Sequence, residues 1–195
     1  MNPLTDLQLT SAKPNAVRPR FDDIFMDLAV SLAKRSHCIK AQVGAVLTRD
    51  TRIISIGYNG PPAGTHNCDD EFPDVGCPRD SKGSCSLALH AEQNAILYAA
   101  KNGSAIEGAT IYITLSPCIA CARIIYSMKI ARVVYLDSYA EYKGIDSDEG
   151  VDFLRKFGVT VEKHSAQLDL GESIELADNP LYKGTVSSSA NEIAT

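Results

Sequence analysis

Leu89-His90-Ala91-Glu92-Gln93-Asn94-Ala95-Ile96-Leu97 and, further on, Pro117-Cys118-Ile119-Ala120-Cys121 decide how this chain is read. Leu89, Gln93, Ile96, Leu97 and Ala100 recur at helical spacing, and Gly103 is a good stop. A helix is therefore predicted over about 89–102. A short strand at 110–114 leads into Pro117, a favoured first-turn residue, and a second helix is predicted from 118 to 129. His90 and Glu92 thus enter one helix, while Cys118 and Cys121 share a face of the other. One histidine and two cysteines can supply three ligands to zinc. Three ligands leave the fourth tetrahedral position open for water, which is the catalytic rather than the structural arrangement. Glu92, two residues after the histidine, is placed to move protons instead of binding metal.

Outward from this centre, strand 132–137, a short helix near 148–157 and strand 159–163 continue the alternation. Upstream, β-rich runs at 43–49 and 52–58 form a hairpin through Arg49-Asp50-Thr51. Before them, Asp22 or Asp23 can cap a helix in which Ile24, Phe25, Leu28, Leu32 and Ala33 recur, ending near Ser36. Crossover helices imply parallel pairing of the later strands. The expected fold class is α/β: a mixed five-stranded sheet covered by helices, in three α/β/α layers. The segment 1–20 reads as flexible, 21–163 as the folded domain, and the Ser-rich, acidic 164–195 as a tail that packs loosely or is disordered. Residues 59–86 carry Gly, Pro, Asn, Asp and Cys without periodicity. A loop that long inside a compact domain asks for something to staple it.

At 195 residues, 45% hydrophobic and 22% charged, the chain has the composition of a soluble globular domain. It has no apolar run long enough to span a bilayer and no secretory core near its start, so a cytoplasmic protein is expected. A net charge of −5 argues against a long nucleic acid as partner. The six cysteines then read as metal ligands before disulfides. Cys38, Cys68, Cys77 and Cys85 remain once the catalytic set is assigned. They are either four separate thiols or a closed structural zinc site that ties the 59–86 loop down, with His37 or His66 able to replace one of them.

A C-x-x-C alone could be a redox pair, and a His-Ala-Glu alone means little. Their combination is the signature of zinc-dependent nucleobase deaminases. With Val43-Gly44-Ala45-Val46, Gly57-Tyr58-Asn59-Gly60 and His90 to Ile96, the pattern over about 21–163 resembles the deoxycytidylate (dCMP) deaminases, bacterial and phage forms included. That resemblance implies the cytidine deaminase-like fold and hydrolysis of dCMP to dUMP, the precursor of dTMP. It implies catalytic zinc on His90, Cys118 and Cys121, and Glu92 passing a water proton to the ring nitrogen and later protonating the leaving amine. It also supports the second zinc, more firmly at Cys38 and Cys68 than at Cys77 and Cys85.

For the substrate, the resemblance implies that Asn59 bonds the sugar hydroxyl; by sequence alone Asn59-Gly60 is also a common turn dipeptide. The Ala91 amide can face the base carbonyl, Tyr139 borders the pocket, and Lys40, Arg123 or the Ser116 region can meet the phosphate. Activation by dCTP with magnesium and inhibition by dTTP are implied for Tyr58, Gly60, Tyr98 and Lys101, in a homo-hexamer. The competing readings are a deaminase of dCTP, of free cytosine or guanine, of a riboflavin intermediate, or of tRNA bases, and a non-catalytic zinc homologue. A polynucleotide editor is disfavoured by 7% aromatics and no tryptophan. The long 59–86 insertion and the acidic balance speak against the tRNA enzymes, and the presence of Glu92 speaks against a catalytically dead homologue.

Overall fold

The computed structural model describes residues 18–71, 77–81 and 85–165, of which Pro19–Ser165 form one compact unit. The expectations for 1–17 and for the tail from 166 lie outside the described residues.

The hairpin forms as read, from β1 (Gly44–Arg49) and β2 (Arg52–Tyr58). Asp50 and Thr51, both at positive φ, turn between them, as the right-handed twist of a tight hairpin requires. Then come α3 (Ala91–Lys101), β3 (Thr110–Leu115), α4 (Ile119–Ser127), β4 (Arg132–Asp137), α6 (Glu149–Lys156) and β5 (Thr160–Lys163). Two one-turn helices were not predicted: α2 (Cys68–Glu71) and α5 (Tyr139–Lys143).

The strand order is β2-β1-β3-β4-β5. β1 pairs antiparallel with both neighbours, while β3, β4 and β5 run parallel. Strand alternation sorts the side chains into two layers. Ala45, Leu47, Ile111, Ile113, Val133 and Tyr135 face α3, α4 and α6 in the larger core. Val46, Tyr112 and Val134 face the opposite way, onto Phe25, Met26 and Ala29 of α1 (Phe21–Ala33). The result is the mixed sheet between two helical layers that the pattern implied.

The start of α1 differs from expectation. Arg20 is the N-cap residue, and Asp22 and Asp23 lie in the first turn. Asp23 reaches back to accept from the Arg20 backbone N–H at 3.2 Å. Asp22 is committed elsewhere. Its two oxygens accept from the Arg132 guanidinium at 2.9 and 2.8 Å, and Oδ1 also accepts from the Tyr112 hydroxyl at 2.6 Å. Arg132 in turn bonds Glu162 of β5. A single guanidinium thus fastens α1 to three parallel strands. Arg132 holds the Asp22 carboxyl at about 2, below its ordinary 3.8.

A carboxyl whose pKa is depressed by folding stabilises the fold above its unfolded value and stops doing so as pH falls through the folded one. Asp22→Asn is therefore expected to cost about 1–2 kcal/mol at neutral pH. The difference between wild type and variant should be complete above about pH 4 and vanish near the folded pKa of about 2. Urea titrations at pH 7, 5 and 2.5 check this; an equal difference at all three would contradict it.

Candidate active site

The site lies where both halves of the sheet end. On the hairpin side, β2 leaves no room for a side chain at Gly57. A Cβ there would stand 2.3 Å from the Ala91 carbonyl oxygen and 2.7 Å from the Ala95 nitrogen. The first turn of α3 therefore lies directly on the strand. The Ser55 hydroxyl adds a hydrogen bond to the Ala95 carbonyl at 2.7 Å, and Asn94 Nδ2 donates to the Tyr58 carbonyl at 2.8 Å. Gly60 and Leu89 exchange backbone bonds of 3.1 and 2.9 Å. These contacts place His90 as the N-cap of α3, with Glu92 buried in the first turn.

On the parallel side, β3 ends at Leu115 and the chain passes through Ser116 and Pro117 to Cys118, the N-cap of α4. Pro117 precedes the cap, instead of sitting in the first turn as predicted. Gly150 of α6 abuts this bend: a Cβ there would come within 1.8 Å of the Pro117 carbonyl oxygen.

The two helix starts bring the three predicted ligands together. His90 Nδ1 lies 3.5 Å from Cys118 Sγ and 3.3 Å from Cys121 Sγ. All three donor atoms lie within 4.8 Å of one another, and among the described residues this is the one group of three or more such donors so drawn together. One imidazole nitrogen and two sulfurs are a donor set that suits zinc. The electrostatics agree. The Cys121 thiol, and after it the His90 ring, hold the Cys118 thiol down at about 4, close to thiolate. The Cys121 thiol is pushed up in exchange, by Cys118 and by burial.

Glu92 is 4% exposed. Burial raises its carboxyl from 4.5 to about 7. A group poised there can take up and release a proton near neutral pH.

The pocket beside this centre is lined by Asn59, Ala91, Glu92, Ser116 and Tyr139, all candidate site residues of the sequence. Asn59 uses both ends of its amide on the chain before β1, with Oδ1 accepting from Val43 N–H and Nδ2 donating to the Ala41 carbonyl, each at 2.8 Å. Ser116 is 2% exposed, and its hydroxyl is engaged by Asp148 and the Tyr139 amide. Lys40 lines the pocket, as anticipated. Arg123 does not line it; it faces solvent two residues past Cys121, on the outer side of α4. Tyr142 and Lys143 do line it and were missed. The Tyr142 hydroxyl donates to the Lys40 carbonyl at 2.5 Å.

Cys38 and Cys85 also line the pocket, but no three of Cys38, Cys68, Cys77 and Cys85 come within 4.8 Å of one another as the first group does. Cys68 Sγ and Cys85 Sγ stand 3.9 Å apart. Burial and then the Cys85, Cys77 and Cys38 thiols push Cys68 up to about 12. Burial also acts on Cys85, yet the N–H groups of Ala88 and Leu87 bring that thiol below its ordinary value. His37 is paired with Asp69 at 2.9 Å, and His66 is exposed. Tyr58 sits at the end of β2 beside the first turn of α3, whereas Tyr98 and Lys101 are exposed near the other end of that helix.

The family model for the cytidine and deoxycytidylate deaminase zinc-binding region matches residues 19–137. The chain belongs to that family. It is 43% identical over 133 residues to the deoxycytidylate deaminase of Schizosaccharomyces pombe, covering 65% of this chain and 40% of that protein. It is 37% identical to the deoxycytidylate deaminase of Enterobacteria phage T4, over 70% of this chain and 86% of the phage protein. The chain thus spans about two fifths of the fission-yeast relative and most of the phage one. A crystal structure of dCMP deaminase from cyanophage S-TIM5, in complex with dCMP and dUMP, superposes with a TM-score of 0.62 at 31% identity. The superposition covers 76% of this chain and all of that one.

The donor set makes a direct prediction. Protein purified without chelator should carry zinc, and Cys118→Ser should lose one equivalent per chain. Emission spectroscopy for the metal, together with thiol titration, reads both, and a zinc content unchanged by Cys118→Ser would rule this centre out.

Proposed function

We propose that this chain hydrolyses dCMP to dUMP and ammonia, with zinc held by His90, Cys118 and Cys121. The observation that carries this reading is the convergence of the His90, Cys118 and Cys121 donor atoms within 4.8 Å, in a pocket that the buried Glu92, in the first turn of the helix that His90 caps, also lines. The names of the relatives and the nucleotides bound by the cyanophage protein supply the substrate. Zinc, when bound, supplies the Lewis acidity that makes hydrolysis feasible near neutral pH. Glu92 then accepts one proton from the attacking water and gives it to the adjacent ring nitrogen, where it stays in the product; it takes the second from the hydroxyl added to the ring and delivers it to the departing amine. One carboxyl group can do all of this, because it alternates between base and acid.

In this reading Ala91, at the first position of α3, offers its amide to the base, and Tyr139 forms a wall of the pocket. Asn59, already braced on Ala41 and Val43, presents its remaining bonding capacity to the sugar. Lys40 and Lys143 supply cations for the phosphate. Lys143 is held over the Tyr139 and Tyr142 rings at 5.8 and 5.4 Å, which keeps the ammonium near the pocket.

The reading extends to a second, structural zinc on Cys38, Cys68, Cys77 and Cys85, supported by the 3.9 Å Cys68–Cys85 separation. It includes a cytoplasmic homo-hexamer that supplies dUMP for dTMP synthesis. It includes activation by dCTP with magnesium and inhibition by dTTP, through Tyr58, Gly60, Tyr98 and Lys101. Among the described residues no helix is long and apolar enough to cross a membrane.

Ammonia release from dCMP, deoxycytidine, cytidine and dCTP tests the substrate, and dCMP should be preferred. Glu92→Gln should keep its zinc and fold while losing roughly a thousandfold in kcat, within the usual range for a general acid–base group. Retention of more than about a tenth of wild-type activity would remove the proton-transfer role. Zinc analysis should approach two equivalents per chain, with one lost in Cys85→Ser; a single equivalent with four freely titratable thiols would exclude the second site.

Regulation predicts a sigmoidal dCMP curve that becomes closer to hyperbolic with dCTP and magnesium, and by linkage dCMP should tighten dCTP binding by the same factor. Lys101→Glu should disturb this response without altering zinc content. Hyperbolic kinetics in every condition, or a monomer by light scattering, would eliminate the regulatory part alone.

A further inference from the structure

Asp148 takes no part in the chemistry above, yet its carboxylate joins two walls of the pocket. It is the N-cap residue of α6, but its side chain makes no capping bond to that helix. Its Oδ2 accepts instead from the hydroxyls of Ser116 and Ser138, the latter at 3.1 Å. These serines open the bends that leave β3 and β4, two adjacent parallel strands. One bend leads within two residues to the metal ligand Cys118. The other places Tyr139 on the pocket.

The Ser116 hydroxyl stands between them. It has one hydrogen, and that hydrogen goes to Asp148. Its lone pairs are thereby turned to the Tyr139 amide, which donates to it at 2.7 Å. A serine hydroxyl whose hydrogen nothing claims rotates to suit other neighbours, and its acceptor direction is no longer defined. The other carboxylate oxygen, Oδ1, is buried with no hydrogen-bond partner among the described residues. Burying an acceptor in this way opposes stability, so the stability of α6 does not account for the carboxylate.

We propose that Asp148 is a positioning residue: by orienting the Ser116 hydroxyl it fixes Tyr139 relative to the Cys118 end of the metal centre, and so sets the width of the slot that receives the base. The identity of that base rests on the deaminase reading; the positioning itself does not.

Hydrogen exchange at the Tyr139 amide, followed in the zinc-loaded protein, tests the positioning without turnover. Protection there should fall about tenfold or more in Asp148→Ala and in Ser116→Ala, with no further fall in the double variant, because both act through one bond. Asp148→Asn keeps an acceptor and should recover to within about threefold. Should Asp148→Ala not fold, Asp148→Ser, too short to reach Ser116, takes its place.

In parallel, Asp148→Ala should raise KM for dCMP about tenfold while kcat changes less than about threefold, the pattern of lost positioning rather than lost chemistry. Unchanged protection in Asp148→Ala, or losses that simply add in the double variant, overturns the inference. So does a KM within about twofold of wild type in an active enzyme. A zinc-loaded wild type that does not deaminate dCMP overturns the proposed function instead, and the exchange data then decide the role of Asp148.

Discussion

The contact on which the rest of the molecule depends is the seating of α3 against β2 at Gly57. With the Ala91 carbonyl where a side chain would otherwise be, the helix can begin in one place only. That place makes His90 the cap and sends Glu92 inward. Gly150 does the same on the other side, letting α6 press on the Pro117 bend that carries Cys118. A metal centre needs its donors fixed to within fractions of an ångström, and loops seldom achieve this alone. Here two helices are driven against backbone, and the donors sit on their first residues.

Burial then gives the site its chemistry. Glu92 owes its raised carboxyl mainly to the absence of water around it. The thiols divide along similar lines. Cys118, half-exposed and receiving hydrogen bonds, is drawn toward thiolate, while the buried Cys121 is pushed the other way. The pocket that His90, Glu92 and Cys118 line is also lined by Lys40 and Lys143, so groups of both signs share it.

Much of this was legible in the amino-acid order. Strands and helices long enough to show a period were found within a few residues of their ends, and the spacing of His90, Glu92, Cys118 and Cys121 carried its own chemistry. What escaped had physical reasons. α2 and α5 are one turn each, too short to have a period, so Tyr142 and Lys143 gave no sign that α5 would bring them to the pocket. Arg123 looked close because it follows Cys121 by two residues, but that offset turns a helical side chain away. Asp148 falls at the start of the short helix predicted near 148–157; only the fold shows that its carboxylate is spent on two serines that follow β3 and β4. Asp22 misled in the same way, being drawn from the cap position by Arg132.

The order of the strands has a consequence for how the chain reaches this state. β1 and β2 are neighbours in sequence, as are β3, β4 and β5, so each set can form from local contacts. The seam between β1 and β3 cannot: Ala45 must find Ile113 across the whole insertion and α3. Closing so long a loop carries an entropic cost before any contact repays it, which puts that pairing late in folding. His90 rides on the hairpin half and both metal-site cysteines on the parallel half. An ion captured there is thus a rivet across the last joint to close, and the capacity to hold metal reports that the two halves have met in register.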